Sequence, residues 1–221
     1  MKASSFWRRP YPGYLFDLDG TLVDTAPDIS VALNTALEHE GYPPVSEDHT
    51  RHWVGHGARV LLEQALDHQH QSHDVVDGML EIFIAHYREH IAERSTLYPD
   101  VIASLAALRA RGAKLAVVTN KLTTLSVAVL EALDLMQFFD VLVCGDSTNE
   151  PKPAAAPAIY AGEKLQLQMI DVLFVGDSQT DVDCARAAGC AVVCVRGGYN
   201  HGACAAALGA DGVIETFKDL V

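Results

Sequence analysis

A chain of 221 residues, 49% hydrophobic and 20% charged, has the makeup of an ordinary folded protein, with room for one large domain or two small ones. Sixteen Lys and Arg against 29 Asp and Glu leave a formal charge of -13, which argues against a general nucleic-acid or anionic-membrane binder, because phosphate-rich surfaces are held by basic side chains. No apolar run approaches the ~20 residues of a membrane span. At the N-terminus, Met1 to Pro12 carries Arg8 and Arg9 but no following apolar stretch of the signal-peptide kind, so a cytoplasmic protein is expected. Trp7 and the two prolines lead into the first strand.

Tyr14-Leu15-Phe16 reads as a short buried strand of a parallel sheet. It runs straight into Asp17-Leu18-Asp19-Gly20-Thr21, an unfavourable place for charge unless a cation or a reaction uses it. Ligands of open α/β sheets bind at the carboxyl ends of strands, and Asp17 lies at one. Asp17 and Asp19 are one strand period apart, so both can point to the same side, and Gly20 allows a sharp turn. An aspartate nucleophile with a partnering acid/base fits this spacing; an Asp-rich helix cap is the plainer alternative.

From Thr25 to Arg94, about 70 residues, no strand-like run occurs. Ile29-Leu33-Leu37, Val60-Leu61-Ala65-Leu66 and Met79-Ile82-Phe83-Ala85-His86 are each spaced for one helix face, with Pro43-Pro44 and Gly55-His56-Gly57 as punctuation. A helical insertion directly after a candidate active-site strand is expected to act as a lid. Arg51, Arg59 and Arg88 within it could touch a substrate carboxylate, although exposed arginines are common on such a lid. His68, His70, His73, His86 and His90 read as solvated side chains, since no Cys or acidic spacing supports a zinc site.

Strand and helix alternate from there on. Val101–Arg111 and Leu125–Leu135 are helical patterns; Lys114–Thr119, Val141–Cys144, Val172–Val175 and Ala191–Val195 are strands. The expected fold is therefore α/β: a doubly wound parallel-sheet core from residues 1–24 and 95–221, with a small α-helical cap inserted at 25–94. Thr119-Asn120, Pro151-Lys152-Pro153 and Gly176-Asp177-Ser178-Gln179-Thr180-Asp181 each follow a strand. Phosphoryl transfer through an aspartyl-phosphate needs such a set. Crowded carboxylates and a phosphate dianion repel, so a hard cation such as Mg²⁺ and the Lys152 ammonium would balance them, with a Thr119 hydroxyl donating to phosphate oxygen. Five cysteines without a CxxC pair read as reduced thiols.

The segments DLDGT, VVTN, PKP and GDSQTD resemble the motifs of the haloacid dehalogenase-like phosphohydrolase superfamily, helical-cap subgroup, over essentially the whole chain. Within it the chain looks most like the bacterial phosphoglycolate phosphatase family. That likeness rests on Ala26-Pro27-Asp28-Ile29, Trp53-Val54-Gly55-His56-Gly57-Ala58, Leu97-Tyr98-Pro99, Thr119-Asn120-Lys121 and Gly198-Tyr199-Asn200-His201-Gly202. The resemblance implies a Rossmann-like core, Asp17 as nucleophile and Asp19 as acid/base. It further implies Thr119, Asn120 and Lys152 as phosphate ligands, Mg²⁺ on Asp17, the Asp19 carbonyl and Asp177, and Asp181 in a supporting place at the metal or beside Lys152. The expected activity is hydrolysis of a small phosphomonoester, 2-phosphoglycolate first, with no nucleic-acid or membrane partner and with monomer and homodimer both open. His56 stands where the family often has Asn, and Leu122 where Pro often follows the Lys. Another sugar-phosphate phosphatase, a phosphoglucomutase-like enzyme, a phospho-accepting receiver and a non-catalytic binding module are the rival readings.

Overall fold

Asp17 ends the first strand, β1 (Gly13–Phe16), in a computed structural model that describes residues 7–221; the core assignment of residues 1–6 lies outside the described residues. A two-residue strand, β2 (Val23–Asp24), pairs antiparallel with β3 (Thr96–Leu97). Between these two come α1 (Ala26–His39), α2 (Glu47–Trp53), α3 (Ala58–His68) and α4 (Val76–Glu89). The chain then alternates through α5 (Val101–Ala110), β4 (Lys114–Val118), α6 (Thr123–Ala132), β5 (Val141–Val143), α7 (Ala156–Leu165), β6 (Val172–Gly176), α8 (Gln179–Ala188), β7 (Ala191–Val195) and β8 (Gly212–Ile214).

Six of the strands form one parallel sheet in the order β5-β4-β1-β6-β7-β8. Side chains alternate between its faces. Phe16, Leu115, Val117 and Val175 join one buried cluster; Leu15, Ala116, Val118 and Phe174 join the other. Both faces are covered, which is why these strands read as unbroken apolar runs. The order also sets β1 between β4 and β6, so Asp17 sits between the residues that follow those two strands.

The four helices between β2 and β3 leave and rejoin the core side by side, because Asp24 pairs with Thr96. Asp28, in the first turn of α1, fastens the return. Its carboxylate accepts from Arg94 N (2.9 Å), Ser95 N (2.8 Å) and Ser95 Oγ (2.6 Å). Asp28→Ala would strand the buried Ser95 donors, and a loss of roughly 2–3 kcal/mol is expected in denaturant unfolding; a midpoint unmoved by the change would refute the clasp.

Three details differ from the sequence expectation. On α4 the buried face is Val76, Met79, Phe83 and Tyr87, whereas Ala85 is exposed. The helix expected to run to Leu135 stops at Ala132, because Asp134 takes a left-handed φ of 55° and a 3₁₀ turn, Met136–Phe138, follows. Helix α2 and strand β8 carry too little apolar pattern to announce themselves.

Candidate active site

β1 delivers Asp17 into a site whose walls come from three neighbouring strand ends. Asp17 N donates to Val175 O on β6 (3.0 Å), and Asp17 Oδ1 accepts from Leu18 N (2.8 Å). Lys152 Nζ stands 2.8 Å from the same Oδ1, while Oδ2 has no donor among the described residues. Asp17 therefore presents one carboxylate oxygen clamped and the other open.

Lys152 is steered by Asp181, whose Oδ1 accepts from Nζ at 2.7 Å. Asp181 Oδ2 accepts from Asp177 N and Ser178 N, both 3.1 Å, and from Ser178 Oγ at 2.8 Å. One carboxylate thus caps α8 and aims the lysine, the reciprocal arrangement of a capping box. Asp177 accepts from Thr21 Oγ1 (2.7 Å) and from Tyr199 N (2.5 Å). Gly20 makes the close approach possible. Its φ is +82°, and a Cβ there would overlap the Asp177 carboxylate.

Asp17, Asp177 and Asp181 are all buried, and each offers an oxygen within 4.8 Å of the others. Among the described residues only one ammonium, that of Lys152, lies within this cluster, so the cluster carries surplus negative charge. Burial, against the opposing pull of Lys152, pushes Asp17 up to about 7. Asp177 is also raised well above the ordinary carboxylate range, by burial first and then by the charges of Asp181 and Asp17. Burial would lower Lys152, but Asp17 and Asp181 hold it above its usual value. A buried all-oxygen set with excess negative charge fits a hard divalent cation such as Mg²⁺.

Above Asp17 a cleft opens between the core and α1, α3 and α4. Asp19 lines it, outside the carboxylate cluster, accepting from Thr25 Oγ1 (2.6 Å) and from Lys121 Nζ at 2.9 and 3.0 Å. Thr119 also lines it; its Oγ1 accepts from Lys121 N (3.2 Å), which leaves the hydroxyl proton to donate. Asn120, expected among the phosphate ligands, has its side chain engaged elsewhere. Its Nδ2 donates to Gly55 O (3.0 Å) and Lys152 O (2.9 Å), and its Oδ1 accepts from Lys152 N (2.9 Å). The amide is consumed in bracing the lysine loop, and only the backbone N–H is left for an anion.

None of the three arginines of the helical insertion lines the cleft. Arg51 makes a double hydrogen bond to Asp24, both 2.9 Å; Arg59 pairs with exposed Asp77; Arg88 is exposed. Asp24 also accepts from the Tyr199 hydroxyl (2.5 Å), whose own oxygen accepts from Ala26 N (2.9 Å). Pattern reading assigned no role to Lys121, Tyr87 or Tyr199. Lys121 and Tyr199 lay within segments quoted for the family likeness; Tyr87 gave no signal beyond its place on a helix. All five cysteines are unpaired, and no described helix is long and apolar enough to cross a membrane.

A family model described as haloacid dehalogenase-like hydrolase matches residues 14–195. Phosphoglycolate phosphatase of Yersinia pseudotuberculosis is 39% identical over 211 residues, covering 95% of this chain and 91% of its own. Phosphoglycolate phosphatase of Chromobacterium violaceum is 40% identical over 210 residues, covering 93% and 92%. Among solved structures, one described as a predicted phosphoglycolate phosphatase from Haemophilus somnus superposes with a TM-score of 0.91 at 37% identity, covering 96% of this chain and 97% of the other.

Proposed function

Because the chain belongs to the haloacid dehalogenase-like hydrolase family, we propose that it hydrolyses a small phosphomonoester, 2-phosphoglycolate first among candidates, through a phosphorylated Asp17. The observation that carries this reading is the meeting of Asp17, Lys152, Asp177 and Asp181 beneath a cleft lined by Asp19 and Thr119. The phosphoglycolate phosphatases similar to this chain over nearly its full length support the substrate.

The phosphoryl group enters with its oxygens toward Lys152, the Thr119 hydroxyl and the Asn120 backbone N–H. Asp17 Oδ2, the oxygen left open, attacks phosphorus in line. As the P–O bond to the substrate breaks, Asp19 gives its proton to the departing alkoxide. The alcohol leaves. Asp19, now a carboxylate, takes a proton from water, which attacks phosphorus, frees Asp17 and releases inorganic phosphate. Asp181 keeps Lys152 aimed throughout. Asp17, Asp177 and the Asp19 carbonyl would hold Mg²⁺, whose charge offsets the crowding of carboxylates and phosphate. The helices over the cleft act as a cap that excludes bulk water.

Phosphate release from 2-phosphoglycolate, run beside sugar phosphates and nucleotides with Mg²⁺, tests the reading. A kcat/KM tens of fold above the panel is expected; better turnover of another ester would discard the substrate, and no turnover of any would discard the activity. The metal has its own test. Asp17 is raised from 3.8 to about 7, so the folded state holds a proton that the unfolded chain has already lost. Stability of the metal-free protein therefore falls as pH climbs through that interval. Mg²⁺ competes with those protons. Its gain in Tm should be larger at about pH 8 than at about pH 6, and a gain that shrinks with rising pH would count against metal on Asp17.

A further inference from the structure

The Tyr87 hydroxyl is buried, with the residue only 1% exposed, and its proton finds no acceptor among the described residues. Tyr87 lines the same cleft as Asp17 and Asp19. Its close neighbour is Lys121, whose Nζ lies 4.7 Å from the ring centroid. An ammonium can only donate, so it leaves the hydroxyl proton without a partner. A buried hydroxyl in this condition is costly unless a ligand supplies the acceptor. Lys121 is itself buried, and it is the only cation among the described residues that line the cleft. The remaining cap wall is apolar, built from Ile29, Val54, Leu61 and Phe83.

We infer that Tyr87 and Lys121 form an anion subsite in the cleft, and that it takes a carboxylate carried on the alcohol part of the substrate. The inference rests on the phosphatase reading above and assigns the residues that would select the carboxylate of its substrate. Two donors of different kinds meet there, a neutral O–H lacking an acceptor and an ammonium that already donates to both oxygens of Asp19. A carboxylate has two oxygens and satisfies both. Polyol phosphates fit poorly, because apolar walls would leave their hydroxyls desolvated and unpaired. Tyr87 and Lys121 are specificity residues that touch the substrate; the bond-breaking is left to Asp17 and Asp19.

The test compares 2-phosphoglycolate with ethyl phosphate, which has the same chain length and no carboxylate, in the Mg²⁺-loaded full-length protein. The wild type should favour 2-phosphoglycolate, and Tyr87→Phe should lower kcat/KM for it by about 10-fold while moving ethyl phosphate less than about 2-fold, because a donor to a charged group is lost. Lys121→Met should slow both esters, since Asp19 loses a neighbour, and should in addition erase at least a tenfold share of the preference. The buried hydroxyl has no acceptor for its proton, so Tyr87→Phe is expected to leave Tm little changed. Equal losses on both esters, no loss on either, or a wild type indifferent to the carboxylate would overturn the subsite while leaving the phosphatase standing. A wild type inactive on every phosphomonoester would remove the phosphatase reading and the subsite with it.

Discussion

Asp17→Asn should abolish turnover, by on the order of 10⁴-fold or more, the scale seen when an activated nucleophile is removed. The reason is local. Oδ2 of Asp17 is the open oxygen above the Lys152 clamp, and an amide in its place cannot attack phosphorus. The fold should not suffer. Burial holds Asp17 up to about 7, beside the charges of Asp181 and Asp19, so a neutral isostere relieves repulsion in the metal-free protein. Its Tm should match or exceed the wild type, and Mg²⁺ should raise it less. Wild-type-like activity in this variant would refute the nucleophile assignment, and a collapsed Tm would show that the carboxylate is chiefly structural.

Lys152→Met should damage both activity and stability. The ammonium is 2.8 Å from Asp17 and 2.7 Å from Asp181, with its side chain 1% exposed. Taking one partner from a buried ion pair leaves uncompensated charge and typically destabilises by about 3–5 kcal/mol. The loss has a pH signature. Without the lysine, Asp17 and Asp177 gain still more from protonation, so the penalty should be smaller in mild acid and grow as pH rises through neutrality. Turnover should fall on the order of 10²–10³-fold even where the protein stays folded, because a fixed positive charge is lost from the phosphoryl site. Denaturant unfolding at two pH values separates the effects; a pH-independent loss would mean that packing, not charge, dominates.

The sheet was legible because strands buried on both faces leave uninterrupted apolar runs, and each run that ended in Asp, Thr or Gly-Asp ended at the sheet's carboxyl edge. Asp17 and Asp177 could therefore be placed together from pattern and fold type alone. Lys152 needed the charge argument, since a lysine between prolines is an ordinary turn. Asp181 looked like a metal ligand or an orienting group for Lys152 or water; it accepts from Lys152 Nζ, Asp177 N, Ser178 N and Ser178 Oγ and lies in the carboxylate cluster. What escaped was long-range. Lys121 meets Asp19 across 102 positions and Tyr199 meets Asp24 across 175, and no local periodicity encodes such pairs. Tyr87 was hidden by a face drawn through Ala85; shifting it to Val76, Met79 and Phe83 brings Tyr87 inward. Helix α2 is seven mostly polar residues whose start is signalled only by Ser46 accepting from His49 N.

The β2–β3 pairing has an evolutionary corollary. Two neighbouring residues, Asp24 and Thr96, are the doorposts through which the whole four-helix excursion leaves and returns. A polypeptide of any length whose ends lie that close could be spliced between them without disturbing a single ladder bond of the six-stranded sheet. The Asp17, Lys152 and Asp177 cluster and the Tyr87 wall of the cleft thus lie on separable stretches of chain, so exchanging one cassette would reshape that wall while the carboxylates beneath stay where they are.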